Sequence, residues 1–473
     1  MAADARRKVM AGPQIRRLRH SLGLSQSAMA AELGISVSYL NLVERNQRPL
    51  TAQLLIRLSE TYAIDARDFA SSEEARIQTE LEEILADPVL RGQPVPRAEI
   101  RAALDQAPGV VAALRSLHAA YAALAELQGG LAQAAPASER GEPAILPQDP
   151  VERVRNLLQE AQNHFPALED AAERIATELP EGDRLAALTA RLRERHGIRL
   201  RILPYREMGV TLRHYDRHRR VLMISELVEP PGRTFQAAFQ LGLMEAAGPV
   251  EERLDAAALP EGAARRLGRV ALLNYVAAAI LMPYAPFLAA AQETGYDVDV
   301  LAARFGASWE QVAHRLTTLA RPSARGIPFF MIRVDAAGNV SKRFASGAFP
   351  FARMGGTCPR WNLHEALARP GQTLTQVIEL PDGARWFSVA RAVRRIAMPW
   401  GEIEPMFAVG LGCEIKHAGA LVYGRSVREM PPVAIGPNCR LCERPHCPSR
   451  AAPPLTRPPD MTEATRGLSP FGL

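Results

Sequence analysis

Gly34-Ile35-Ser36-Val37-Ser38-Tyr39-Leu40-Asn41-Leu42-Val43-Glu44-Arg45-Asn46-Gln47-Arg48-Pro49-Leu50 reads as one short helix set between two breaks. Gly34 supplies a turn and Ser36 an N-cap, so a helix is expected over 37–45. Ile35, Leu40 and Val43 share a face that can join a small core. Val37, Ser38 and Asn41 fall on another side. An Asn amide pairs bidentately with adenine in the major groove, and Val and Ser suit a thymine methyl or a base edge. Arg45, Asn46, Gln47 and Arg48 gather at the helix end, where phosphates would lie, and Pro49 closes the unit.

The preceding residues complete the motif. Ile15 to Arg19 is the tail of a first helix. Gly23-Leu24-Ser25-Gln26 is a turn and cap, and Ala28 to Leu33 is a second helix ended by Gly34. Two short helices about a Gly turn, the second presenting polar groups, make a helix-turn-helix. The wording Gly23-Leu24-Ser25-Gln26, Met29-Ala30, Leu33-Gly34-Ile35-Ser36, Tyr39-Leu40 and Glu44-Arg45-Asn46 resembles the Cro/C1 repressor (XRE) type over residues 10–70. That resemblance implies an all-α DNA-binding head. Its expected contacts are Gln26, Ser36, Val37, Ser38, Asn41, Arg45, Asn46 and Arg48.

Charge agrees with this. Residues 1–70 hold ten Lys/Arg and six Asp/Glu, so +4 of the chain's formal +6 lies in this segment. A basic excess is the electrostatic footprint of a DNA reader. No apolar segment follows the N-terminal Met-Ala-Ala-Asp-Ala-Arg-Arg-Lys, so no signal peptide is expected. The most apolar run, Val270 to Met282, contains Asn274 and is too short to span a bilayer. Five Cys in 473 residues, three of them crowded, fit a reducing compartment and a ligand role rather than a disulfide framework. A cytoplasmic protein without membrane contact is expected.

Further along, 73–128 is rich in Ala, Leu, Glu and Arg and reads as a helical connector suited to dimerisation. Gly and Pro mark 129–149 as a linker. Residues 150–320 read as α+β. Helices are expected at 151–163, 168–179 and 184–196, then a strand at 198–204. A hairpin about Asp216-Arg217-His218-Arg219 follows, then helices at 235–246 and 265–281 and a helix pair at 298–319. From Ile327 the texture is β: a hairpin at 329–344, then strands at 376–380, 385–390 and 407–413. Residues 321–450 form the C-terminal domain, and the Pro-rich tail at 451–473 is expected to be disordered.

Cys439-Arg-Leu-Cys442-Glu-Arg-Pro-His-Cys447 can place three thiolates round one metal centre. Tetrahedral zinc and iron–sulfur clusters both accept such donors. The lack of a second Cys-x-x-Cys and Pro448 after the last Cys favour [4Fe–4S], with zinc as the alternative. Cys358, between Gly355-Gly356-Thr357 and Pro359, has a loop setting that suits the fourth ligand. Cys413 follows a strand and is expected in the core. His417 and His446 are the imidazole alternatives.

The order strand, hairpin, helix 235–246, helix 265–281, ending Leu281-Met282-Pro283, resembles the IrrE/ImmA metallopeptidase-like domain. That family carries His-Glu-x-x-His on the first helix and a Glu on the second. Here the matching positions read Phe239-Gln240-Leu241-Gly242-Leu243, and Leu272 stands where the Glu would be. Zinc needs imidazoles and a carboxylate, so a middle domain without metal ligands and without peptidase activity is expected. Phe239 and Leu243 would fill the old site.

All parts in this order resemble the short-chain fatty acid regulators, the ScfR/PrpR/RamB type. The carrying motifs are Gly326-Ile327-Pro328-Phe329-Phe330, Gly338-Asn339-Val340-Ser341-Lys342, Cys358-Pro359-Arg360-Trp361-Asn362 and Cys439 to Cys447. The resemblance implies a DNA-binding transcription factor of propionate or acetate metabolism, not an enzyme. It implies an acyl-CoA effector and a homo-oligomer, dimer or tetramer. A redox or stress regulator that senses through its cluster or a protein partner is the alternative. Arg213, Arg217 and Arg360 are candidates for the CoA phosphates, but the sequence does not place the pocket.

Overall fold

A computed structural model describes residues 12–21, 24–44, 48, 51–62, 72–85, 95–134, 150–259, 261–347, 349–351, 356–454 and 467–469. The described residues up to Leu114 form one compact unit and those from Arg115 on form a second.

The first unit opens with four helices, α1 (Gly12–Ser21), α2 (Gln26–Glu32), α3 (Val37–Glu44) and α4 (Ala52–Tyr62). Ile15, Met29, Ala30, Leu33, Leu40, Val43, Leu54 and Leu58 form its core, at the spacing of one apolar stripe per helix. Ser25 caps α2 by accepting from the Ala28 N–H, and Ser36 accepts from the Tyr39 N–H to start α3. Gly34 takes φ +62 in the turn between them, a conformation that favours Gly. Two further helices, α5 (Ser72–Leu85) and α6 (Arg97–Gln106), share a small cluster of Leu81, Ile100 and Val111 with α7 (Pro108–Ala134).

Here the structure corrects the sequence reading. The linker was expected from 129, yet α7 runs through Gly129 and Gly130 to Ala134. Each Gly costs a helix only about 1 kcal/mol relative to Ala, and the Ala- and Leu-rich flanks outweigh that. The rest of the expected linker, 135–149, lies outside the described residues, as does most of the expected tail.

The second unit begins with α8 (Pro150–Glu160), α9 (Pro166–Thr177) and α10 (Arg184–His196). Next come β1 (Arg199–Leu203), the short α11 (Tyr205–Met208), β2 (Arg213–Asp216) and β3 (Val221–Ser225). The strand order is β1-β3-β2, with β1 parallel and β2 antiparallel to β3. Six helices follow: α12 (Pro230–Glu245), α13 (Ala247–Ala256), α14 (Ala263–Leu281), α15 (Tyr284–Glu293), α16 (Val298–Phe305) and α17 (Trp309–Leu316). No single described helix is long and apolar enough to cross a membrane; α14 and α15 would pass only as a pair bent by 66°.

The C-terminal sheet contains β4 (Phe330–Asp335), β5 (Val340–Ala345), β6 (Thr373–Glu379), β7 (Arg385–Arg394), β8 (Met406–Glu414) and β9 (Val433–Ala434), with α18 (Asn362–Ala368) after β5. Their order is β5-β4-β8-β7-β6-β9, antiparallel except for β6 with β9. Alternate residues face opposite ways, as the two-residue period requires. Met331, Phe387, Val389, Val409, Leu411 and Cys413 join the core of the preceding helices. Phe330, Ile332, Trp386 and Ala408 face a second core with Phe349, Cys358, Trp361 and α18. Gly410 is small for that reason: a Cβ there would lie 2.6 Å from Leu363 Cδ2. The expected boundary at 320/321 therefore separates two sheets but not two cores.

A fully buried ion pair ties the helical part together. Arg315 on α17 donates to both oxygens of Glu169 on α9, at 2.6 and 2.9 Å, and from Nε to the Met282 carbonyl. Tyr275 of α14 also donates to Glu169.

Candidate functional sites: the helical reader, the cysteine loop and a cleft

On α3 the split of faces follows the spacing. Leu40 and Val43 are fully buried, Val37 and Ser38 are exposed, and Asn41 is half-buried with no hydrogen bond among the described residues. Arg48 is exposed, its N–H donating to the Leu42 carbonyl. Arg45 and Asn46 lie outside the described residues. Gln26 is less free than the sequence implied: its amide donates to Glu44 at 2.7 Å. Glu44 also accepts the Arg19 fork at 2.7 and 3.2 Å. Burial pushes the Glu44 carboxyl up, but the bonds from Arg19 and Gln26 more than offset this and hold it below its usual range. Arg19 and Glu44 are 25 residues apart, and no local pattern signals their pairing. Similarly, Arg57 is spent on the α2 end, donating to the Leu33 and Gly34 carbonyls.

In the peptidase-like layer, Gln240 and Leu272 are fully buried, and Phe239 and Leu243 pack against the core. The space is shared by a residue the motif did not flag for it: the Arg213 guanidinium sits 4.8 Å over the Phe239 ring and donates to Gln240. This donor set offers zinc neither imidazole nor carboxylate.

The cysteine loop is built onto the sheet by its neighbours. Trp361 Nε1 donates to Ser388 Oγ at 2.8 Å, and Asn362 Nδ2 donates to the Leu374 and Ser388 carbonyls. These bonds pin the Cys358-Pro359-Arg360-Trp361-Asn362 segment beside β6 and β7. Arg444 donates to the Ile435 and Glu379 carbonyls, and Arg450 to those of Cys439, Arg444 and Ala452. Burial raises the Cys358 thiol; N–H groups of Gly436 and Arg360 pull it down, and nearby Cys439 and Cys442 raise it again. The Ala451 N–H points at Cys439 Sγ, 3.4 Å away. Three sulfurs thus share a neighbourhood supplied with N–H donors, which suits thiolate ligands. Among the described residues no group of three or more His, Cys, Asp or Glu is arranged to hold a metal ion as it stands. Cys413 faces the other side of the sheet, and burial pushes its thiol up to about 12. His446 is exposed at φ +54.

A cleft of about 860 Å³ opens between α8, α12 and α14 on one side and β4, β5 and β7 on the other. Its helical wall includes Phe235, Ala271 and Ala278, with Leu267 and Val270 still 42% and 48% exposed. Its strand wall is basic: of the seven Arg/Lys that line the cleft, all but Arg155 of α8 lie on or just after β4, β5 and β7, against three acids, Glu229, Asp299 and Glu310. Glu310 accepts from Arg333 and Lys342, each at 2.8 Å. Arg395 makes no ion pair among the described residues. His314 stacks on Phe344 at 4.2 Å, and burial, with Lys342 close by, pushes its imidazole down to about 3. None of Arg213, Arg217 and Arg360 lines the cleft. Lys342 and Arg343 could have been found from the Gly338–Lys342 motif, whose hairpin carries them into the wall.

A helix-turn-helix head joined to a peptidase-like layer without metal ligands defines a DNA-binding transcription regulator rather than a peptidase. Residues 15–69 match a helix-turn-helix family and 193–317 an IrrE N-terminal-like domain. Residues 318–471 match the family described as short-chain fatty acyl coenzyme A regulator, C-terminal. The propionyl-CoA carboxylase regulator of Cereibacter sphaeroides is 38% identical over 98% of this chain and 99% of its own. The HTH-type transcriptional regulator RamB of Mycobacterium tuberculosis is 38% identical over 98% of each. PrpR of the same organism is 37% identical over 95% of this chain and 92% of its own. A solved Mycobacterium tuberculosis transcriptional regulator superposes with TM-score 0.65 at 36% identity, covering 68% of this chain and 99% of that one. The chain belongs to the short-chain fatty acyl coenzyme A regulators, DNA-binding transcription regulators of short-chain fatty acid metabolism and not enzymes.

Proposed function

We propose that this cytoplasmic regulator is governed by a short-chain acyl-CoA, propionyl- or acetyl-CoA, held in the cleft between the helical layer and the C-terminal sheet. The observation that carries the reading is the cleft's division of labour. An apolar wall with partly exposed Leu267 and Val270 suits an acyl chain and pantetheine. Seven basic groups against three acids suit the phosphates of coenzyme A. The site is large enough for a ligand of that size.

The head reads DNA through α3, as a homo-oligomer whose two-fold pairs engage half-sites about one helical turn apart. Cys358, Cys439, Cys442 and Cys447 would hold a [4Fe–4S] cluster, with zinc as the alternative. The all-thiol donor set and the N–H groups aimed at Cys358 and Cys439 support that set over one using Cys413. The cluster would tie the loop to β6, since metal binding there is folding free energy.

Thermal unfolding of the full-length protein with propionyl-CoA, with CoA and with neither tests the effector. Propionyl-CoA should stabilise most. Equal melting in all three would reject the acyl-CoA reading and favour a cluster or a protein partner as the signal.

A further inference from the structure

The helical layer holds a cation without an anion. Arg213 leaves β2, an edge strand of its sheet, and crosses to α12, where it lies over Phe239 and donates to the Gln240 side-chain carbonyl. Gln240 is fully buried. Its oxygen takes the Arg213 N–H, while its Nε2 has no acceptor; nor has Arg213 Nε. No carboxylate among the described residues pairs with Arg213, and burial with nothing to offset it pushes the guanidinium below its usual value. Arg19, Arg191, Arg315 and Arg333, more deeply buried, each face a carboxylate, and buried Arg450 has backbone carbonyls instead.

An uncompensated guanidinium beside an orphaned amide N–H calls for an anionic acceptor. Planar donors in a fork match a carboxylate. Phe239 and Leu243, one turn apart on α12, offer an apolar floor only a short chain would cover. We infer that Arg213 and Gln240, at the place the peptidase-like layer reserves for its metal, form a site for a small aliphatic carboxylate. The carboxylate accepts from Arg213 Nε and Gln240 Nε2 and lays its tail against Phe239 and Leu243. Arg213 is itself only half-buried, so the ligand enters from the solvent side of β2 as that side chain shifts. The site is separate from the acyl-CoA cleft and does not rest on that reading.

Thermal unfolding of the full-length protein tests this with millimolar sodium propionate, sodium chloride at equal ionic strength, and neutral propionamide. Propionate alone should raise Tm. Arg213→Gln should weaken the apparent propionate affinity by about tenfold or more. Gln240→Glu provides a second handle that does not depend on surviving the loss of Arg213. It places an internal carboxylate against the guanidinium, should melt no lower than the wild type, and should lose the response to propionate. Propionyl-CoA should act on both variants as on the wild type. Propionate no better than chloride, propionamide as good as propionate, or a Gln240→Glu variant that keeps the full propionate response would each overturn the inference.

Discussion

Glu310→Gln should make the protein less stable and its cleft more attractive to coenzyme A. Glu310 stands in the first turn of α17 with its side chain 12% exposed, its Oε1 accepting from Arg333 and Lys342. Burial pushes its carboxyl up, but the charges of Lys342 and Arg333 more than offset this and hold it at about 2 rather than 4.5. That gap favours the ionised, paired state by about 3 kcal/mol at neutral pH. A carboxyl lowered in the fold stabilises above its unfolded value and ceases to as pH falls through its folded value. The contribution is therefore complete above 4.5, about 1 kcal/mol at pH 3 and gone near 2. For a unit of about 350 residues, 3 kcal/mol is about 4 °C in Tm. The same change frees Arg333 and Lys342 and raises the net positive charge of the cleft by one. At about 8 Å and an effective dielectric near 40, this tightens a phosphate by about 1 kcal/mol, or about fivefold. Urea unfolding of both proteins at pH 7 and pH 3, with calorimetric titration of CoA at low salt, measures both effects. A stability difference that stays level between those pH values, or CoA bound more weakly by the variant, would refute the reasoning.

Asn41→Ala should cost about 1–3 kcal/mol on the specific operator and relax base choice near one position. Arg48→Ala should weaken all sequences alike and flatten the salt slope by about one; gel shifts across a salt series separate the two. Anaerobically purified protein should be brown and bleach in air. Ser at 439, 442 or 447 should abolish the colour, Ser at 358 should abolish or destabilise it, and Ser at 413 should do little. Colourless protein with one zinc per chain would reject iron while keeping the ligands. Glu169→Gln should cost about 3–5 kcal/mol in denaturant unfolding, because it leaves Arg315 charged in a site where both partners are fully buried.

Much of the fold was legible because it rests on local patterns. Helix α10 spans the expected 184–196; Asp183 caps it by accepting from the Ala186 N–H, and Gly197 ends it at φ +64. The hairpin of β4 and β5 was written in Asp335 to Asn339, whose carboxylate gathers the Ala337 and Asn339 N–H groups. What the sequence hid are the charge pairs across long separations. Arg315 and Glu169 lie 146 residues apart, and Arg343 and Glu152 lie 191 apart. In an Arg-rich chain, nothing in the spacing says which guanidinium meets which acid. The cleft was hidden for the same reason, because its walls come from separate stretches of the chain, the apolar one from residues 235–278 and the basic one from residues 333–343 and 391–395.

Substitution of three metal ligands also explains how an enzyme-like layer can serve a regulator. On α12 the stripe through Phe239, Gln240 and Leu243 occupies the old metal position, while Phe235 and Gln236 line the cleft. On α14, Leu272, Leu273 and Val276 are buried, while Leu267, Val270, Ala271 and Asn274 reach the cleft. A period of 3.6 residues lets one helix pair present both stripes. Apolar residues in place of His and Glu lower the desolvation cost that an empty zinc site would impose on the core, leaving Arg213 Nε and Gln240 Nε2 as the unpaired groups there. The two helices can then act as a rigid wall for a site formed only when the C-terminal sheet packs against them, through Met331, Phe387, Val409 and Leu411.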